Sequence, residues 1–249
     1  MEKKYALIFS FLITGLIASN VYLFSTLSAN PMQSAIISRV IDGDTLVIED
    51  DTTIRLVNIN APEKNTQQYN SSLTLLKQFE NKTIFLEPLG SDKYQRTLAR
   101  IYSQDETYLN LQLVALGFAS KFLVQDSETR DFAKAEEKAI KNSLGIWYHS
   151  PHYNCFTSEI DKYGEIITLT NNCQEINLAG FKLKDESRKI YTFPEISFSQ
   201  KLLLNSVLGE DNSTDLFWNS KTNIWNNDRD SLYIFDKNST LAHYHSYGY

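Results

Sequence analysis

The sequence predicts an α+β portion followed by an all-β portion. Between about Ala35 and Trp147, strand-like runs alternate with amphipathic helical runs. After His149-Ser150-Pro151 the texture changes to short alternating runs separated by Asn, Asp, Gly and Ser, the pattern of a β-sandwich. A chain of 249 residues with 42% hydrophobic content is long enough for two small domains and too apolar to be disordered.

The N-terminus carries Lys3 and Lys4, and residues 5–29 then contain no charge. Residues 1–30 are therefore predicted to be a signal or membrane anchor. The only small-residue site near the end, Leu27-Ser28-Ala29, is a poor cleavage site, which favours an uncleaved anchor over a secreted product. With the lysines retained inside, the rest of the chain would lie at the extracellular face.

Five strands are expected next, at 35–41, 44–49, 53–59, 82–88 and 96–103, the first three joined by Asp42-Gly43 and by the polar turn Glu49-Asp50-Asp51-Thr52. Helices are predicted at 67–80, at 107–116 with Gly117 as a stop, and at 128–143, where Phe132, Ala135, Ala139 and Ile140 make an apolar stripe. Beyond a boundary near 149–153, strands are expected at 165–170, 176–183, 189–193, 201–205 and 231–235. A hairpin turning near residue 164 would bring Cys155 and Cys173 face to face as a disulfide; two free buried thiols are the alternative.

Formal net charge is -6, and between residues 39 and 141 there are 13 basic against 16 acidic side chains. Tight, long-range capture of a polyanion is excluded by that balance, so any polyanion must be held locally. The charges are nevertheless concentrated. Counting alternate positions puts Asp44 in phase with Leu46 and Ile48, and Arg55 in phase with Val57 and Ile59, so both charges are expected on core-phased positions. Pro62 ends the ladder and presents Glu63 at the same rim, while a Gly-Ser-Asp loop leads to Arg96. Two arginine forks, hard oxygen donors and one carboxylate suit phosphodiester hydrolysis. Residues 35–148 hold no histidine and no cysteine, which excludes an imidazole base or a thiolate there.

The runs DGDT (Asp42 to Thr45), Arg55-Leu56, INAPE (Ile59 to Glu63), DKYQR (Asp92 to Arg96) and SLGIW (Ser143 to Trp147) occur in that order, and over residues 35–148 the chain resembles the staphylococcal-nuclease-like or thermonuclease family. The resemblance implies a five-stranded OB-type barrel with helices and a calcium-dependent endonuclease acting on DNA and RNA. It implies Glu63 as general base, Arg55 and Arg96 as phosphate and transition-state clamps, Asp44 as a metal ligand, Asp42 as its support through water, and the Ala61 carbonyl as a further ligand. Asn60 stands where the family usually has a second metal-binding aspartate, which implies weaker Ca2+ binding. Lys93 and Tyr94 are assigned to substrate binding. The substrate-side aromatics expected shortly after Gly117 are replaced by Leu123 and Gln125. A module that has lost turnover and binds nucleic acid or protein at the cell surface is the alternative function.

The runs at 164–185, 191–195 and 223–249 resemble a lamin-tail-type domain, which implies an immunoglobulin-like β-sandwich over residues 153–249 acting as an adaptor for a partner the sequence does not identify. Phe181, Leu183, Tyr191, Phe193, Trp225 and Tyr233 are expected in its core, and the pair His243 and His245 lacks a third metal ligand.

Overall fold

The computed structural model describes residues 13–20, 32–64, 69–124 and 127–249. Most of the expected signal or anchor lies outside them; residues 13–20 form an exposed helix, α1. No described helix is long and apolar enough to cross a membrane.

Strands β1 (Gln33–Asp42), β2 (Thr45–Ile48), β3 (Thr53–Leu56), β5 (Thr83–Ser91) and β6 (Thr97–Tyr102) close into a barrel in the order β1-β2-β3-β6-β5. Its neighbours are antiparallel except β3 and β6, which run parallel because the chain leaves β3, crosses the barrel and re-enters beside it. Closure leaves the barrel no free edge. Ile37, Leu46, Ile54, Leu56, Ile84, Ala99 and Ile101 fill its interior. Three helices cover it: α2 (Tyr69–Lys77), α3 (Leu109–Ala115) and α4 (Thr129–Lys141). Two short strands that local pattern did not signal, β4 (Ile59–Asn60) and β7 (Ser120–Lys121), pair outside the barrel. The expected strand 53–59 is broken there, because Asn58 takes a left-handed backbone (φ 66) and turns the chain away.

Ten further strands follow: β8 (Phe156–Asp161), β9 (Ile166–Asn171), β10 (Ile176–Asn177), β11 (Lys182–Asp185), β12 (Ile190–Thr192), β13 (Ser197–Phe198), β14 (Lys201–Asn205), β15 (Asp215–Phe217), β16 (Asp230–Phe235) and β17 (Leu241–Tyr247). They form two four-stranded sheets, β15-β14-β9-β8 and β12-β11-β16-β17, with the small pair β10-β13 beside them. This is the β-sandwich architecture expected for the C-terminal region. Phe181, Leu183, Tyr191, Phe193 and Trp225 are buried in the sandwich core as expected, whereas Tyr233, expected with them, packs in the cluster against the barrel. The run 176–183 is two strands, because Gly180 (φ 76) bends the chain between them. Cys155 and Cys173 form the disulfide. They sit one step past the ladder, since Phe156 faces Asn171 and the hairpin is centred half a residue earlier than the sequence suggested.

The two halves meet along α4, the short 3-10 helix Gly145–Trp147 and the β11-β16-β17 face. Trp147 stacks on Tyr233 with ring centroids 5.1 Å apart. Lys121, fully buried, bonds Glu136 at 2.7 Å and Ser231 at 2.5 Å, and its ammonium lies 3.5 Å from Glu186 and 4.3 Å above the Tyr249 ring. Tyr233 donates to the same Glu136 carboxylate at 2.9 Å. Burial alone would lower the Lys121 ammonium, but Glu136 first, then Tyr244 and Glu186, outweigh it and hold it above the ordinary lysine range.

Candidate active site

The turn between β1 and β2 places the first acids. Asp42 Oδ1 accepts the backbone N–H of Asp44 at 3.1 Å, which fixes the tight DGDT turn. Gly43 is needed here for closeness: a Cβ would lie 2.1 Å from Ser72 Oγ and 2.6 Å from the Ala61 Cβ. The turn is thereby pressed between α2 and the segment that leads to Glu63. Asp44 is buried; its Oδ2 accepts the Ala61 N–H at 2.9 Å and pairs with Arg55 at 3.1 Å, and its Oδ1 accepts Thr45 Oγ1 at 3.0 Å. Burial, with Asp42 adding repulsion, pushes the Asp44 carboxyl up to about 6 despite Arg55 and the Ala61 N–H.

Arg55 corrects the phase expected from the sequence. Ile54 and Leu56 point into the barrel, whereas Arg55, opposite Thr45, lies on the other face and is buried by the chain beyond β3. Its guanidinium donates to the carbonyls of Leu56 and Ile59, the latter at 2.9 Å. Asp44 likewise sits in the turn before β2 rather than on that strand's inner face. Both charges are buried at the mouth of the barrel, and neither occupies its core.

Arg96 is aimed by Asp92, whose Oδ2 receives both Nε and Nη2 at 2.7 Å and whose Oδ1 accepts the N–H groups of Tyr94 and Arg96. The other terminal nitrogen reaches Thr45 Oγ1 at 3.4 Å. Each arginine is thus held by one carboxylate, Arg55 by Asp44 and Arg96 by Asp92, so their positions are set before any ligand arrives. Lys93 and Tyr94 lie at the tip of that loop, with Tyr94 exposed and the Lys93 ammonium 5.0 Å from its ring. They do not line the cleft that holds the acids and Arg55.

That cleft, of about 270 Å³, is lined by Asp42, Asp44, Arg55, the run Ala61 to Lys64 and Arg96, together with Arg188 from the turn between β11 and β12. Glu63 stands exposed at its lip. Arg188 carries no motif that would select it from sequence: its Nη1 lies 3.1 Å from Asn60 Oδ1 and 3.4 Å from Glu63 Oε1. Burial draws the Arg55 guanidinium below its ordinary range; the neighbouring guanidinium groups of Arg96 and Arg188 add to this, and Asp44 opposes it.

The expected metal donors are all hard oxygens: two carboxylates, the Asn60 amide and the Ala61 carbonyl. Asp42 and Asp44, adjacent and with Asp44 resisting ionisation, form a pair that a hard cation would reconcile, so the donor chemistry fits such an ion. The set has only two acids, and among the described residues no group of three or more His, Cys, Asp or Glu is arranged to hold a metal. His243 and His245 instead share the Ser158 hydroxyl at 2.8 and 2.9 Å.

A family model described as staphylococcal nuclease homologue matches residues 53–149. Similar proteins include an uncharacterized endonuclease of Haemophilus influenzae, 32% identical over 139 residues, covering 53% of this chain and 77% of that protein. The thermonuclease of Staphylococcus intermedius is 34% identical over 129 residues, covering 46% and 76% respectively. An uncharacterized endonuclease of Escherichia coli O157:H7 is 36% identical over 113 residues, covering 44% and 73%.

Proposed function

Because this chain belongs to the staphylococcal nuclease homologue family, we propose that it is a metal-dependent endonuclease that hydrolyses phosphodiester bonds of DNA and RNA, with calcium as the working ion. The observation that carries this reading is the single cleft in which two carboxylate-anchored arginines, two adjacent acids and a rim glutamate converge. Arg55 and Arg96 bind the scissile phosphate and stabilise the extra negative charge of the five-coordinate transition state. Glu63, open to solvent at the lip, takes the proton from the attacking water. Asp42, Asp44, the Asn60 amide and the Ala61 carbonyl would hold the cation, which when bound withdraws charge from the phosphate.

The activity is placed at the extracellular face or in the medium, a reading supported by the uncharged run at 5–29 behind Lys3 and Lys4. Residues 35–148 are read as the nuclease domain and residues 153–249 as a lamin-tail-type adaptor, on the motifs given above. Digestion of plasmid DNA and of RNA by the purified full chain, with calcium or with chelator, tests the reading. Calcium-dependent cleavage that is lost in Glu63→Gln is expected; cleavage unchanged in that variant would overturn it.

Asn60 favours a second reading, a nuclease-like module with weakened turnover, because a ligand charge is missing and Arg188 already sits on its amide oxygen. Asn60→Asp separates the two: an enzyme gains apparent calcium affinity, and a dead scaffold gains no cleavage.

A further inference from the structure

We propose that the C-terminal sheet supplies part of the nucleic-acid site: Arg188 binds a phosphate of the strand lying in the active cleft, and the groove beyond it, with Lys184 in its wall, takes the adjoining nucleotide. This rests on the nuclease reading and extends it to a residue 128 positions away from Asn60 in the chain.

Arg188 stands where three cavities meet. It borders the catalytic cleft with Arg55 and Arg96, a second depression beside Phe122 and Leu123, and a larger groove of about 470 Å³ between barrel and sandwich. The larger groove is lined by Lys184 and Arg188, and its apolar wall is made by Pro62, Ile146, Ile190 and Phe235. That volume suits a small organic ligand, and the lining pairs cationic groups with flat apolar surface, the combination a nucleotide needs for its phosphate and its base.

The fold gains little from keeping an arginine at position 188. Its side chain is 45% exposed, its contact with the still more exposed Glu63 spans 3.4 Å, and screening by water makes such a pair weak. The residue adopts φ 77, a backbone region where Asn or Gly would be easier. Its guanidinium is nevertheless positioned, lying 5.2 Å above the Phe122 ring and bonded to Asn60.

The surrounding charges call for an anion. Asp42, Asp44 and Glu63 line the cleft against Arg55, Lys64 and Arg96, so Arg188 is the cation that tips this lining to positive. Lys184 has no carboxylate among the described residues within ion-pair distance; its desolvation, with repulsion from Arg188, draws the ammonium below the ordinary lysine range against the more distant Glu136, Asp185 and Glu63. In a chain of net charge -6, a local gathering of Arg55, Arg96, Arg188 and Lys184 can serve a bound polyanion without providing long-range attraction.

The test uses the full chain, with Arg188→Asn and Lys184→Gln as variants and Arg188→Lys as the charge-retaining control. Asn accepts the backbone conformation at position 188, so that variant removes the charge while keeping the turn. Cleavage of a labelled oligonucleotide is measured for KM and kcat, and binding of the same oligonucleotide to each variant is measured by anisotropy over a salt series in a Glu63→Gln background. For Arg188→Asn we expect KM to rise about tenfold with little change in kcat, and the slope of log affinity against log salt to fall by about 0.7, one single-strand phosphate contact. Lys184→Gln should reduce the slope again, and Arg188→Lys should restore most of the affinity. Unchanged KM and salt slope in an enzyme that cleaves normally would overturn this proposal and leave the nuclease reading intact. A rise in kcat without loss of affinity would overturn it in favour of a latch on Glu63. Oligonucleotide binding that depends on Arg188 in a wild-type chain that never cleaves would keep the subsite and remove the nuclease reading, and absence of both binding and cleavage would remove both.

Discussion

Two charged clusters are mounted on one two-residue ladder, and they are finished in opposite ways. In the β4–β7 pair, Asn60 faces Ser120 and Ile59 faces Lys121. On the Asn60 side lies the cleft at the barrel mouth, where Arg55, Arg96 and Arg188 crowd together and Glu63 remains in solvent. On the Lys121 side a buried ammonium is enclosed by Glu136, Glu186, Ser231 and Tyr233. The closed cluster satisfies itself, and its net effect is to fix how the two halves dock. The open cluster holds its cations in place without neutralising them all, which makes sense for a group that must meet an anionic guest. The same residue types therefore serve structure or chemistry according to whether their partners are internal.

Four changes break or sharpen that contrast. The largest effect belongs to the open cluster: Glu63→Gln should slow cleavage roughly 10²–10⁴-fold while leaving the denaturant midpoint where it was, because Glu63 is exposed. Lys121→Met should do the reverse. Stranding Glu136 and Glu186 without their cation should cost roughly 3–5 kcal/mol in chemical denaturation, with kcat per folded molecule preserved.

Cys155→Ser opens a link spanning 18 positions, and should cost about 3 kcal/mol in the same measurement without touching cleavage, since the bridge lies in the sandwich. The smallest change is set by pH. Burial, reinforced by His245, pushes the His243 imidazole down to about 4, below its value of 6.5 in an unfolded chain. Its neutral form is thus favoured in the folded state, so its contribution is fully present above pH 6.5 and is lost as pH falls from 6.5 toward 4. Unfolding midpoints across that window should show a loss of about 1–2 kcal/mol, allowing for residual exposure, that His243→Gln removes.

What could be read from the sequence divides along the same line. The barrel strands were legible because each is a local run with its own turn, and the motifs that carry Asp42, Asp44, Arg55, Glu63 and Arg96 lie at strand ends that barrel closure brings to one mouth. Alternation misplaces the inward face of β3 because the strand ends at Leu56, and counting through Val57 and Ile59 crosses a turn. Arg188 was invisible, since its meeting with Asn60 depends on how the two halves of the chain are placed. Glu136 did leave a trace. It falls four residues after Phe132 and four before Ile140, inside the apolar stripe of α4, where a carboxylate must have a buried partner.

The enclosed Lys121 also bears on how this protein can be cut for laboratory use. A barrel fragment ending after Ser150 would bare a lysine, a glutamate and the Trp147 face that the sheet normally covers. Such a fragment would keep the Lys121–Glu136 pair but open it to water beside an uncovered apolar face, so a stand-alone barrel calls for polar replacements on that face before its behaviour is compared with that of the whole chain.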